Sequence, residues 1–284
     1  MKSLIARNLK VFFRDRASVF FSLLSVFIIF VLYVLFLGDV WTNELPKVPG
    51  ARVLTDSWIM AGILAVTSMT TVMGAFGTMV DDRVHNIIKD FGASPISKGK
   101  IAGGYVLSSF IVGVLMSLIA FALSEGYVVA RGGALLSPAA TIQVLRLILL
   151  STLCNTAMVS FLVSFFKSVN AFATASSILG TMIGFLTGIY LPIGMLPAPV
   201  PVFVKIFPLS HAALRIRRVR TEAPMQAVFK GAPDLIVRTF EDQMGIAFRF
   251  GFQTVPVYVS ILILAGTALL FYALAIVRFS RKSR

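Results

Sequence analysis

Six runs of the chain contain no Asp, Glu, Lys, Arg or His: roughly residues 17–37, 58–80, 101–124, 147–166, 171–191 and 256–277. A helix needs about 20 mostly apolar residues to cross a bilayer, and each run reaches that length. The pattern predicts an all-α polytopic membrane protein with six transmembrane helices in a single transmembrane domain over residues 1–284. The first run is longer than the ~7–15-residue core of a signal peptide. No small-residue cleavage site stands in "LFLGDVWTN", so this run is expected to remain as a span.

The intervals between the runs are patterned too. Residues 1–16, "MKSLIARNLKVFFRDR", put Ile5, Leu9, Phe12 and Phe13 on one helical face and Arg7, Lys10 and Arg14 opposite, with Leu4 and Val11 straying to the polar side. Such a helix lies in the membrane interface. The elbow at 82–97 follows the second run. Read as a helix, it places Val84, Ile87, Ile88 and Phe91 at i, i+3, i+4 and i+7, among Asp82, Arg83, His85, Asn86, Lys89 and Asp90. Gly92 ends that helix. Ser94 has the chemistry of an N-cap and Pro95 that of a first helical residue, so a new helix is expected to run through Ile96 into the third span. A loop that only reverses the chain needs no apolar face. The elbow is expected to meet a cytosolic partner, or else to lie on the membrane surface.

Two spans are rich in small and hydroxylated residues. The second holds Thr67, Ser68, Thr70, Thr71, Gly74 and Gly77; the fifth spaces Gly180, Gly184 and Gly188 four apart, beside Thr174, Ser177 and Thr181. Small residues let helix backbones approach closely, and hydroxyls supply hydrogen bonds in lipid. The texture fits packing within the chain, a dimer face, or a mildly polar wall of a translocation path. Past the fifth span, Pro192, Pro197, Pro199, Pro201 and Pro208 interrupt an apolar stretch. Proline in mid-helix removes a hydrogen bond and clashes with the turn before it. A re-entrant or interfacial hairpin is therefore expected, leading into an external segment over 192–255 with an amphipathic helix N-capped by Asp234.

Composition sharpens this picture. Hydrophobic residues make up 57% of the 284 and charged residues 13%, against about 25% charged in soluble chains. The net charge of +14 flanks the spans, which favours anionic lipid headgroups over nucleic acid. Fourteen Lys and Arg fall on the side of the termini and the elbow, while the short loops opposite hold Lys47, Arg52 and Arg131, with Arg146 at a helix edge. By the positive-inside rule both termini are expected in the cytoplasm. The segment 192–255 carries eight more, including "RIRRVR" at 215–220, but long loops translocate largely regardless of charge.

Catalytic chemistry is not legible in the chain. Cys154 is the single cysteine and lies within a span, and His85 and His211 lie in different loops, so no metal site is expected. No G-x-x-x-x-G-K-[ST], H-E-x-x-H or G-x-S-x-G motif occurs, and no catalytic residue is assigned. Ion-coupled carriers keep ionisable groups at mid-membrane. The six runs hold none, so energy for any uphill transport is expected to enter from outside the bilayer.

Three motifs, in this order, resemble the six-span permease subunits of type-2 ABC (ABC-2) exporters: "FFRDR" before the first span, "DFGASPIS" in the elbow, and "GIYLPIGMLPAPVPVFVKIFPLSHAALRIRRV" after the fifth. Many members have Gly-Thr-Leu-Glu within the elbow helix, where this chain reads Asn86-Ile87-Ile88-Lys89. The resemblance implies that residues 83 to 96 form a coupling helix seated on a separate ABC ATPase subunit, and that the N-terminal helix touches the same subunit. It implies that spans two and five line a path between two permease copies, identical or paralogous, and that the proline-broken segment gates the outer side. Two ATPase subunits would bind the ATP and Mg, and the chain itself would carry no cofactor. The expected location is a bacterial cell (inner) membrane, and the expected cargo an amphipathic or hydrophobic drug, peptide or lipid-linked molecule. The alternative is a non-transporting membrane anchor or sensor that docks a cytosolic partner.

Overall fold

The computed structural model describes residues 1–37, 50–92, 95–250 and 253–281. In chain order the helices are α1 (Lys2–Arg14), α2 (Arg16–Leu32), α3 (Ala51–Val84), α4 (Ile87–Gly92), α5 (Lys98–Ala130), α6 (Pro138–Val163) and α7 (Val169–Leu186). A 3-10 turn at Ile193–Met195 follows, then α8 (Val200–Ile206), α9 (Pro208–Val228), α10 (Asp234–Gln243) and α11 (Val257–Arg281). A two-residue antiparallel hairpin, β1 (Arg249–Phe250) with β2 (Gln253–Thr254), precedes α11. Helices α3, α5, α6, α7 and α11 are each long and apolar enough to cross a membrane. The segments Arg16–Leu24 and Val26–Leu35, bent by 47° to each other, reach that length and apolarity only when taken together.

Helix α3 is the axis of the bundle. Its 34 residues extend about 51 Å at 1.5 Å each, well beyond the ~30 Å hydrocarbon layer. Its most apolar window is 89% buried, against 17% for α7 and 22% for α11. Those figures place α3 at the centre, packed by α2, α5, α6, α7 and α9, and leave α7 and α11 turned outward. Contact is close because Gly113 of α5 leaves no room for a Cβ, which would lie 2.5 Å from Val72 and 2.8 Å from Thr152. Several hydroxyls and one amide in this interior find partners within or between neighbouring helices. Thr67 donates to the Ile63 carbonyl (2.8 Å), Thr71 to that of Thr67 (2.7 Å), and Asn155 to Ser68 Oγ (2.7 Å).

Helix starts follow capping chemistry. Asp15 accepts from the backbone N–H of Ala17 (3.0 Å) and Ser18 (3.1 Å), which begins α2 and accounts for the Arg-Asp of "FFRDR". Its carboxyl is held below the usual carboxylate range, chiefly by the Ser18 hydroxyl and then by the Ser18 N–H. Ser137 with Pro138 begins α6, nine residues ahead of the charge-free run, so the helix carries Arg146 within it.

The proline-rich stretch is broken where the ring chemistry demands. Pro192 precedes the 3-10 turn, Pro197 lies in the turn before α8, Pro199 precedes α8, Pro201 sits in its first turn, and Pro208 begins α9. Asp234 is the first residue of α10 and Pro233 occupies its N-cap position, so the acid serves the helix dipole instead of capping it.

Helix α9 packs against α3, α6 and α11, and Arg215, Arg217 and Arg220 are at most 3% exposed. Each is drawn inward by a specific partner. Arg220 donates to Glu125 of α5 (2.6 Å), Arg217 stacks over Trp58 of α3 (4.5 Å) and donates to the Gly188 carbonyl (3.0 Å), and Arg215 reaches α11. Three of the four arginines of the basic cluster are thus interior, and Arg218 is exposed.

Candidate functional site

The end of the bundle where the N-terminus lies gathers α1, the foot of α3, α4 and the start of α5. Helix α1 turns Leu4, Asn8 and Phe12 inward, which are 8%, 4% and 3% exposed. This corrects the face read from periodicity: Leu4 belongs to it, and Phe13 is exposed. The physical reason is Gly104, whose missing side chain admits Leu4; a Cβ there would lie 2.6 Å from Leu4 Cδ2. Asn8 then donates to Ser108 Oγ at 3.2 Å.

Arg7 is the polar clasp. Its guanidinium forms a two-pronged ion pair with Asp82 on the last turn of α3, one prong at 2.8 Å, and lies over the Phe91 ring at 5.7 Å. Tyr105 of α5 donates its hydroxyl to the same carboxylate at 2.6 Å. The Asp82 hydrogen bond raises the Arg7 pKa, so the cation stays charged throughout the working pH range. One buried carboxylate thus ties three helices together. Beside it, Arg83 donates to the carbonyls of Val163 (2.9 Å) and Phe166 (2.7 Å), which cap the C-terminal end of α6. Lys10 and Arg14 are exposed.

The elbow departs from the continuous helix read from its pattern. Helix α3 stops at Val84, and Asn86 takes φ +62°, a left-handed conformation that asparagine tolerates better than most residues. Helix α4 restarts at Ile87, so Val84 is split from Ile87, Ile88 and Phe91 and is 40% exposed. Ile88, Phe91 and Ile96 pack against the chain's own core. What α4 and its entry turn leave exposed is polar: His85, Asn86, Lys89 and Asp90. Ser94 lies outside the described residues. Helix α5 begins at Lys98, with Ser97 in extended backbone at its N-cap position, so Pro95 lies before the helix, and Ile96 packs against the core.

The residues read as a path or dimer face fall into two groups. Thr67 and Thr71 are sealed inside the chain, and Gly74 lets α2 approach, since a Cβ there would lie 2.9 Å from Ser22 Cβ. Gly184 lies under the Tyr190 ring, and Gly188 turns the chain at φ +67°. Only Gly180, with nothing within 4 Å, and the exposed Thr181 lie on the outward face of α7, alongside Thr174 and Ser177.

Sequence reading assigned no role to Asn8, Asp82, Tyr105, Ser108 or Glu125. The one available signal was an acid within two positions of the end of an apolar run, as Asp82 and Glu125 both are.

A bundle of five to six long apolar helices with almost no strand among the described residues is a multi-pass all-α membrane protein. Residues 42–277 match the ABC-2 family transporter protein family, and the chain belongs to that family. It is a transmembrane permease of an ABC-type transporter, and its matched region begins after α1 and α2. None of the curated proteins compared matches the chain.

Proposed function

We propose that this permease exports an amphipathic or hydrophobic cargo, driven by ATP hydrolysed in a separate ABC ATPase subunit that docks at the α3–α4 elbow. The observation that carries the reading is the Asp82 clasp. It links the elbow directly to α1 and α5, so a push on α4 reaches three helices at once. The exposed polar surface of His85, Asn86, Lys89 and Asp90 is what the ATPase meets, with Arg7, Lys10 and Arg14 of the interfacial helix at its margin. On this reading the elbow and both termini are cytoplasmic, consistent with the charge distribution. Two ATPases serve two permease copies. The outward face of α7, with Gly180, Thr181 and its neighbouring hydroxyls, supports a second copy packed there.

The test is co-purification in mild detergent from native membranes, with detection of a bound phosphate-loop ATPase. Lys89→Glu combined with Asp90→Lys reverses exposed charge without touching the core, whereas changes at Ile88 or Phe91 would disturb packing. Recovery of the ATPase with the parent and its loss with the double variant supports the docking site. Equal recovery with both would place docking elsewhere.

A further inference from the structure

At the opposite end of the bundle, α6, α9, α10 and α11 line an open cavity of about 640 Å³. Ligand sites typically measure about 300–1,000 Å³ and combine apolar walls with a few placed polar groups. Here Leu147, Met225, Ile246, Val257 and Ile261 supply apolar surface, and Arg146, Arg215 and Arg218 supply cations. Arg215 is the unusual member, at 3% exposed. Its Nε donates to Ser260 Oγ (2.9 Å) and its Nη2 to the carbonyls of Val255 (2.8 Å) and Pro256 (2.6 Å), while the buried Nη1 has no partner. None of those acceptors carries charge. Arg7 has Asp82, Arg220 has Glu125, and Arg249 has Glu241 and Asp242; Arg83, held like Arg215 by carbonyls, is only half-buried and lies at the other end of the bundle. Arg217 is also buried without a carboxylate, but it stacks on Trp58 and does not line the cavity.

A buried cation without a counter-ion is costly, and its unpaired donor adds to that cost. Burial, followed by the neighbouring Arg218 charge, lowers the Arg215 pKa to about 10. Arg218, one turn along α9, and Arg146, across on α6, are exposed at the cavity mouth. Two carboxylates share the space. Glu241 is occupied by Arg249, and Glu222 has no ion-pair partner among the described residues, so the cavity suits one anionic centre better than a broad polyanion. Val257 (56% exposed) and Ile261 (41%) line the cavity and also face outward from the start of α11, next to the surface that lipid would cover.

We propose that this cavity binds an anionic amphiphile, its phosphate or carboxylate seated against Arg215 with Arg218 and Arg146 at the mouth, and its hydrocarbon laid over Val257 and Ile261. The site stands independently of where the ATPase docks. The occupant is either a bilayer lipid or a dispersed amphiphile, and the two share this chemistry.

Binding of isotope-labelled dodecyl phosphate to the purified full chain in neutral-lipid nanodiscs tests the site. Saturable binding of one equivalent is expected, with little competition from inorganic phosphate at the same concentration. Arg146→Gln with Arg218→Gln alters only exposed side chains and is expected to weaken binding about tenfold or more, the loss of charge-assisted hydrogen bonds. Arg215→Gln is expected to abolish binding where the chain folds. In discs containing anionic lipid, loss of dodecyl phosphate binding identifies a bilayer lipid as the occupant, and retention identifies a dispersed amphiphile. No saturable binding, affinity unchanged by Arg146→Gln/Arg218→Gln, or equal competition by inorganic phosphate would overturn the proposal.

Discussion

Truncating Arg7 to alanine should loosen α1 from the bundle by an amount the geometry sets. Asp82 is 2% exposed and Arg7 34%. Severing a fully buried ion pair costs about 3–5 kcal/mol, while exposed pairs contribute about 1 kcal/mol or less. A pair with one end buried and the other at the rim falls between, at about 2 kcal/mol, or roughly thirtyfold in the ratio of docked to undocked α1. Leu4 against Gly104 and the Asn8–Ser108 bond remain, so α1 should open more often without being lost. Amide hydrogen exchange in lipid nanodiscs measures that opening directly. The α1 amides of Arg7→Ala should exchange about thirtyfold faster than those of the parent, with α5 and α6 unchanged. Arg7→Lys keeps the charge but loses the two-pronged fork, and should fall between. Unchanged exchange in α1 would refute the claim that the Asp82 clasp holds it.

Other consequences follow from the interior. Glu125→Gln strands the buried Arg220 guanidinium and should destabilise the protein by about 3 kcal/mol, while adding Arg220→Met should recover much of the loss; denaturation in detergent compares the two. A Cβ at Gly184 would lie 2.0 Å from the Tyr190 ring and would displace it from its edge-on contact with Phe185. Gly184→Leu should therefore impair transport while the ATPase still co-purifies, whereas loss of co-purification would mean a global folding defect. His211 donates from Nε2 to the Lys205 carbonyl and accepts at Nδ1 from Ser260, beside the Arg215 cation. Burial, the main cause, lowers its pKa, so the unfolded chain takes up a proton near pH 6.5 that the folded chain refuses. Its contribution to stability is full above that pH and declines as pH falls toward the folded value. His211→Gln should flatten this slope in thermal melts taken between about pH 5 and 7.

The spans were readable because nothing else produces 20 residues without charge, and composition alone fixes that signal. The interior was not readable, for identifiable reasons. Thr67, Thr71 and Gly74 have one composition whether they line a path or pack a core, and the burial of Thr67 and Thr71 comes from the central position of α3, which the sequence does not state. The elbow pattern assumed an unbroken helix, and Asn86 in the left-handed region divided it. Asn86 was itself the hint, since asparagine is enriched there. The burial of Arg215, Arg217 and Arg220 has no local signal, since arginine is seldom buried unless paired. Their partners, Ser260, Trp58 and Glu125, stand 45, 159 and 95 positions away, beyond the reach of local periodicity. The buried face of α1 is displaced by one position, since a glycine on another helix, Gly104, admits Leu4.

The account rests on the elbow as the seat of an ATPase, and site-specific photo-crosslinking in native membranes asks that directly. A photoreactive residue at Lys89, exposed on α4, is compared with one at Gly132, at the far end of α5. The account predicts a crosslink from position 89 to a phosphate-loop ATPase, strengthened by ATP, and none from position 132. An ATPase captured from position 132, or from neither, would contradict it.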